Sequence, residues 1–234
     1  MIHLWYDICN FYKGREVNFD NIIVTKPWGS EYLCYRNNDV AIWLLEITNG
    51  HKTSMHCHPM KNTGFVVLEG HAELSFLRNS IPLNGLDKIH ICKSRFHSTA
   101  AITDCKILEI ETPEDKYDLV RLDDEYGREG KSYEGEKSYQ AKNKNCVSIS
   151  EPEINPKTLK IFNCNLDHFF INNDEIFFNN GNEENLYVVT GGGLISKKNE
   201  KVVWPGDVLD GKTLNILLRS FKFESKSSVL RVTK

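Results

Sequence analysis

The sequence lacks the features of a membrane or secreted protein. No apolar run approaches the roughly 20 residues that a membrane-spanning helix requires. The first residues, MIHLWYDICNFYKGREVNF, contain no basic stretch that leads into an apolar core, so they do not resemble a secretory signal. We expect a cytoplasmic protein with no membrane partner, in which residues 1–21 form an N-terminal docking segment.

A basic surface for nucleic acid is missing too. The 234 residues include 29 Lys and Arg against 32 Asp and Glu, which gives a formal net charge of −3. This balance offers no basic footprint to a phosphate backbone, so nucleic acid is not an expected partner.

The cysteines do not form a disulfide or zinc-finger pattern. There are seven of them, an odd number at scattered positions, and no CxxC occurs. This usage favours reduced thiols in the cytoplasm over a disulfide framework.

Helical periodicity is absent from residues 22–112, where short strand-like runs alternate with turn signals. The runs include VAIWLLEI, GFVVLEG, HAELSFL and KILEIET, and turns are expected at sequences such as KPWGS and PLNG. Many short strands with frequent turns predict an all-β sandwich or barrel.

The composition changes after this region. Residues 114–144 are highly charged and interrupted by glycines, which is typical of a surface segment or a linker. Strand-like runs then return, among them LKIF, HFFI, EIFF, NLYVVTGG and LNILLRSFKF. We therefore expect a first domain at residues 22–130, a charged linker at 131–150 and a second all-β domain at 151–234.

A pair of histidines, His56 and His58, is the clearest chemical signal. Residues i and i+2 of a strand share a face, so both imidazoles should point to one side, as half of a metal site. His97 is the natural third ligand, because a turn precedes it and a strand of small residues follows.

These histidines lie in a spaced motif. The pattern Gly50-x5-His56-x-His58-x4-Thr63-x6-Gly70 resembles the first cupin motif, and Gly85 to Ala101 resembles the second. The resemblance implies a double-stranded β-helix, the cupin jelly roll, with His56, His58 and His97 as metal ligands. Thr63 occupies the place of the usual ligand glutamate and is the candidate fourth ligand, although its hydroxyl is neutral and a weak ligand. Such a site would hold one divalent metal, and nitrogen ligands favour Zn, Fe, Ni or Co. The alternative is a barrel that has lost its metal and keeps the histidines as polar lining.

The second half carries weaker traces of the same motifs. Glu184 to Gly191 repeats the Glu-x6-Gly ending, and Trp204-Pro205-Gly206-Asp207 resembles the start of the second motif. We interpret residues 151–234 as a degenerate, metal-free cupin barrel, which makes the chain a bicupin; alternatively these strands extend the first sandwich.

Two flanking stretches resemble a narrower family. Lys26 to Glu31 and Leu108 to Arg128 are similar to the entry and exit of the cupin isomerase domain of type II bifunctional mannose-1-phosphate guanylyltransferase/phosphomannose isomerases, over roughly residues 24–130. The resemblance implies turnover of a phosphorylated sugar.

Glu109 and Glu111 share one strand face, so either is a candidate catalytic base if that face is interior. An outward charged face is the alternative. The candidate phosphate contacts are Lys26, Lys93, Arg121 and Arg128.

Three functions follow from these observations. The first is a metal-dependent isomerase or epimerase of a sugar phosphate or nucleotide sugar, which serves surface polysaccharide synthesis, with a homodimer as a candidate assembly. The second is a three-histidine Fe(II) cupin dioxygenase. The third is a non-catalytic sugar-binding or regulatory cupin.

Overall fold

The structure, a computed structural model, describes residues 17–171 and 183–234. Most of the expected docking segment and the EIFF run lie outside these residues. The strands of the N-terminal half are, in chain order, β1 (Ile22–Lys26), β2 (Gly29–Arg36), β3 (Ala41–Ile47), β4 (Met55–Cys57), β5 (Asn62–Glu69), β6 (His71–Phe76), β7 (Ser80–Asn84), β8 (Lys88–Ile91), β9 (His97–Ala101), β10 (Cys105–Thr112), β11 (Val120–Asp123) and β12 (Tyr139–Ala141). No helix among the described residues is long and apolar enough to cross a membrane.

Two antiparallel sheets enclose the first core. The larger sheet has the strand order β12-β1-β2-β3-β10-β5-β8, and the smaller has the order β11-β4-β9-β6-β7. From β3 to β11 the chain passes back and forth between the two sheets. This alternation is the double-stranded β-helix, and it confirms the predicted fold.

The larger sheet is buried on both faces. Trp43, Phe65 and Ile107 pack in the core between the two sheets, whereas Ile42 and Leu108, their strand neighbours, pack in a second core on the opposite face. Burial of both faces explains why runs such as AIWLLEI are continuously apolar instead of alternating.

The second half supplies the layer that covers this opposite face. Its elements are β13 (Leu159–Ile161), β14 (Cys164–Phe170), β15 (Leu186–Gly191), β16 (Leu194–Ile195), β17 (Lys201–Val203), β18 (Val208–Asp210), α1 (Gly211–Leu217), β19 (Lys222–Phe223) and β20 (Ser228–Thr233). Leu166, Val188 and Leu230 pack against the larger sheet of the first half. The second half itself has a five-stranded sheet, β13-β14-β20-β15-β18, and a three-stranded sheet, β17-β16-β19. Two pairs of sheets are what a bicupin with a reduced second barrel requires.

The run LNILLRSFKF was expected to be a strand, and this expectation was wrong for its first part. Residues 211–217 form α1, because the side chain of Asp210 caps its start by accepting a hydrogen bond from the Thr213 backbone N–H at 2.6 Å. An apolar run alone does not distinguish a strand from a buried helix.

The segment at 131–150, where we expected a charged linker, packs against the first half. Tyr133 is buried in the barrel core, β12 pairs with β1 at the edge of the larger sheet, and Val147 and Ile149 join the core between the two halves. Where the domain boundaries fall stays a prediction.

Candidate metal centre and its cavity

Three histidines converge inside the first barrel. His56 lies on β4 and His97 begins β9, and the two are directly opposite each other in the antiparallel pair of these strands. His58 follows two residues after His56, on the same face. The ligand nitrogens of the three side chains lie within 4.8 Å of one another, a geometry that could hold a metal ion.

The outer nitrogen of each imidazole contacts a backbone carbonyl. The Nδ1 atoms of His56, His58 and His97 lie 2.8, 2.6 and 2.9 Å from the carbonyl oxygens of residues 54, 118 and 95. A carbonyl oxygen only accepts hydrogen bonds, so Nδ1 carries the proton and Nε2 keeps its lone pair. The Nε2 atoms of His58 and His97 are buried and have no hydrogen-bond partner. Lone pairs fixed in this way by backbone partners are the arrangement found in metal-ligating histidines.

The three imidazoles stay neutral at physiological pH. Burial is the main cause, and it lowers the pKa of His97 to about 4. Burial also holds the pKa of His56 and His58 well below its usual value; His97 adds to the effect on His56, and Lys61 to that on His58. Neutral imidazole is the form that binds a metal ion, so the residues fit the expected divalent metal.

Thr63, the fourth predicted ligand, is less well placed. It lies on β5, on the same face as Phe65, and its buried hydroxyl has no hydrogen-bond partner. However, Thr63 does not line the cavity that the histidines share. A ligand role for this hydroxyl stays a prediction. Lys61, two residues earlier, lines the cavity instead.

Glu109 and Glu111 face the barrel interior, which resolves the alternative left open by the sequence. Both line the cavity, and the intervening Ile110 packs in the core on the other side of the sheet. Glu111 accepts hydrogen bonds through Oε1 from Lys61 Nζ and Lys116 Nζ, both at 2.8 Å. Glu109 Oε2 lies farther from Lys116 Nζ, at 3.5 Å.

This difference in contacts gives the two carboxyl groups different acidities. Burial raises the pKa of Glu109 to about 7, against a partial opposing effect of Lys116. Burial acts on Glu111 in the same direction, but Lys116 and Lys61 outweigh it and hold the pKa of Glu111 below its usual value. Glu109 can therefore gain and lose a proton near neutral pH, whereas Glu111 stays ionised.

Three of the four predicted phosphate contacts reach the cavity. Lys26, Arg121 and Arg128 line it, and Arg121 is the cross-strand neighbour of His56 in the pairing of β11 with β4. Lys93 does not line the cavity. It is exposed in the turn between β8 and β9, where its backbone N–H donates to the side chain of Asn62.

Several cavity residues were not singled out as candidates from the sequence. They are Glu31, Lys61, Lys116 and Tyr133. The two-residue period that places Phe65 and Thr63 on the interior face extends back to Lys61, and this signal could have found it. Lys116 and Tyr133 lie outside regular strands and carry no such signal.

The cavity is small, and many charged side chains line it. Its free volume is about 60 Å³, which is room for a metal ion and a few water molecules. Five buried atoms without a hydrogen-bond partner belong to residues that line it: His58 Nε2, His97 Nε2, Thr99 Oγ1, Glu111 Oε2 and Arg121 Nε. Buried polar atoms are rarely left without partners, so this concentration indicates a site for a ligand.

Several solved structures are similar to this chain at low sequence identity. No protein-family model and no curated protein matches the sequence. Among solved structures, the chain is similar to an RmlC-like cupin from Shewanella frigidimarina, with 13% identity and a TM-score of 0.38 over 44% of this chain and 94% of that one. It is also similar to a cupin-2 domain protein from the same organism, with 20% identity and a TM-score of 0.33 over 46% and 91% of the two chains. A protein from Acidithiobacillus ferrooxidans, provisionally described as a sugar phosphate isomerase, shows 20% identity and a TM-score of 0.33 over 38% and 64%.

The architecture of the N-terminal half and the position of the motif agree. The N-terminal half alternates between two antiparallel sheets, and the three motif histidines meet inside the barrel that these sheets form. This is the architecture that the resemblance to the cupin motifs implied.

Proposed function

We propose that this protein is a metal-dependent isomerase or epimerase that acts on a phosphorylated sugar. The observation that carries the proposal is the position of Glu109, a carboxyl group with a pKa near 7, in the same cavity as three neutral, converging histidines. A sugar isomerase needs a group that moves a proton between neighbouring carbons, and such a group works best when its pKa lies near the working pH.

The residues of the cavity have separate roles in this reaction. A divalent metal held by His56, His58 and His97 would polarise the substrate carbonyl. Glu109 accepts the proton from the carbon next to the carbonyl and returns it to the neighbouring carbon. Glu111 does not move a proton in this scheme, because two ammonium groups hold it as a carboxylate.

The buried lysines contribute electrostatic stabilisation. Glu111 fixes Lys61 and Lys116 beside the cavity, and both side chains are nearly fully buried. Negative charge develops on the carbonyl oxygen as the proton leaves the carbon, and fixed cations in a site with little water stabilise that charge strongly. Because the free volume is small, we expect only the reacting end of the sugar to enter beside the histidines. Lys26, Arg121 and Arg128 are the expected contacts of the phosphate.

Solvent deuterium exchange tests the proposal. The metal-loaded protein is incubated in D₂O with hexose phosphates and nucleotide sugars, and each product is analysed by NMR and mass spectrometry. We expect conversion of a phosphorylated hexose with deuterium at the carbon next to the carbonyl. Glu109→Gln should keep its metal and lose the exchange, whereas Glu73→Gln, at an exposed position on β6, should behave as the wild type.

The same experiment separates the other functions. Turnover with zinc in the absence of oxygen would exclude a three-histidine Fe(II) dioxygenase. If the metal-loaded protein converts none of these sugars and exchanges no deuterium, the proposed reaction is wrong.

A further inference from the structure

Three cationic side chains converge on one carboxylate at the wall of the cavity. The side chain of Glu134 accepts hydrogen bonds from Lys26 Nζ, from Arg121 Nη2 at 3.1 Å and from Arg128 Nη1 at 2.7 Å. The three cations come from β1, from β11 and from the loop that follows β11. All three also line the cavity, whereas Glu134 does not.

These cations are buried around the carboxylate. The side chains of Lys26 and Arg121 are 4% and 3% exposed, that of Arg128 is 12% exposed, and that of Glu134 is 9% exposed. Ionised side chains are rarely buried to this extent without a partner that satisfies them. Lys26 also lies 3.3 Å from Glu31 and Arg128 also pairs with Asp124, but Glu134 is shared by all three cations, and such a convergence is the kind of site that proteins use to bind an anion.

The cluster has bonding capacity that Glu134 does not use. Arg121 Nε is buried and has no hydrogen-bond partner. Arg121 makes its described ion pair with Glu134 alone, since its Nη1 atom donates to the backbone carbonyls of residues 131 and 132. A carboxylate accepts fewer hydrogen bonds than a phosphate group, whose additional oxygen can also accept from Arg121 Nε.

Glu134 lies between a buried residue and an exposed one. Tyr133 is buried, and its hydroxyl donates to Glu31. Gly135, the next residue, is exposed, and no atom lies within 4 Å of the place where a Cβ would be. The flexible side chain of Glu134 can therefore turn towards solvent while Tyr133 stays in place.

We propose that Glu134 occupies an anion subsite that adjoins the cavity behind these three cations, where its carboxylate is replaced by the phosphate group of the substrate. The proposal rests on the proposed function for the identity of the phosphorylated ligand. A phosphate dianion competes well with Glu134, because it carries more charge and has an additional acceptor oxygen. A monoanion such as acetate has no comparable advantage. Displacement of Glu134 also opens space at the cationic end of a small cavity.

Binding of inorganic phosphate to the full-length protein tests this subsite. Glu134→Gln removes the competing charge, and Glu136→Gln is the matched control, an exposed acid two residues away on the same segment. If Glu134 fills the subsite most of the time, its removal should tighten phosphate binding about tenfold or more in calorimetry. We expect Glu136→Gln to bind phosphate as the wild type does, and acetate to bind more weakly than phosphate to every variant.

A second substitution shows where the phosphate binds. The double variant that carries both Glu134→Gln and Arg128→Gln should lose the gain in phosphate affinity. A gain that survives this change, or equal phosphate binding by wild type and Glu134→Gln, would overturn the proposal and leave Glu134 as a structural ion-pair partner. If Glu134→Gln does not fold, Glu134→Asp serves instead, since the shorter side chain withdraws the carboxylate; unchanged phosphate affinity in that variant has the same meaning.

The outcomes are independent of the proposed reaction. Tighter phosphate binding without sugar turnover would refute the isomerase and keep the subsite. Normal turnover with unchanged phosphate binding in Glu134→Gln would refute the subsite and keep the isomerase.

Discussion

Glu109→Gln should stabilise the protein above neutral pH while it abolishes the proposed activity. Glu109 is almost fully buried, and its nearest ammonium group, Lys116 Nζ, is 3.5 Å away and is shared with Glu31 and Glu111. An ionised Glu109 is therefore poorly compensated in the folded protein. Glutamine has the same shape without the charge, so it removes this cost.

The magnitude follows from the pKa. The pKa of Glu109 is 4.5 under ordinary conditions and about 7 in the fold, because burial disfavours its ionised form. A difference of this size corresponds to about 3 kcal/mol. The favourable contribution of Glu109 to the free energy of unfolding is fully present below the ordinary pKa, where the carboxyl group is protonated in both the folded and the unfolded protein. This contribution is lost as the pH rises to about 7. The stability of Glu109→Gln relative to the wild type should therefore rise by about 3 kcal/mol across this interval.

Glu111→Gln provides a control of opposite sign on the same strand face. Glu111 has a lowered pKa because Lys116 and Lys61 outweigh the effect of burial. The favourable contribution of ionised Glu111 to the free energy of unfolding is present above the ordinary pKa and is lost as the pH falls below it. Removal of this charge leaves two buried ammonium groups with fewer partners, which should cost about 3–5 kcal/mol at pH 8.

Denaturant unfolding from pH 4 to 9 measures both effects. The metal is removed with a chelator beforehand, so that metal binding does not contribute to the free energy of unfolding. If wild type and Glu109→Gln show the same pH dependence between pH 4.5 and 7, Glu109 is ionised throughout that interval and the assignment of its acidity is wrong.

Three further predictions concern the metal and the packing of the two halves. His56→Ala should weaken metal binding at least tenfold in elemental analysis and calorimetry, whereas His51→Ala, outside the cavity, should not. Asp118→Ala should weaken metal binding by about 10-fold to 100-fold in the same assays. The Asp118 carboxylate accepts hydrogen bonds from the backbone N–H groups of residues 60 and 61 at 2.9 Å, and it thereby holds in place the backbone carbonyl of residue 118 that orients His58. Leu108→Ala should lower the free energy of unfolding by about 2–5 kcal/mol because it opens the core between the halves, whereas Leu77→Ala, 62% exposed, should change it by less than about 0.5 kcal/mol.

The local pattern of the sequence was enough to predict an all-β sandwich or barrel and a site built from histidines. A strand places alternate residues on opposite faces, so the spacing of His56 and His58 and of Glu109 and Glu111 determined which side chains would share a face. The turn before His97 allowed the third histidine to be predicted as well. All of these inferences depend on short-range geometry, which the sequence carries directly.

The surroundings of the histidines were decided by the tertiary structure. Lys116, between β10 and β11, and Tyr133, after β11, lie in irregular segments that no period describes, yet both line the cavity. Glu134 lies in a segment whose charge predicted a linker, yet it is buried among three cations supplied by distant parts of the chain. A sequence shows which residues carry charge, but only the packed structure shows which charges meet away from water. In this protein that packing separates Glu109, which can exchange a proton near neutral pH, from Glu111, which remains ionised.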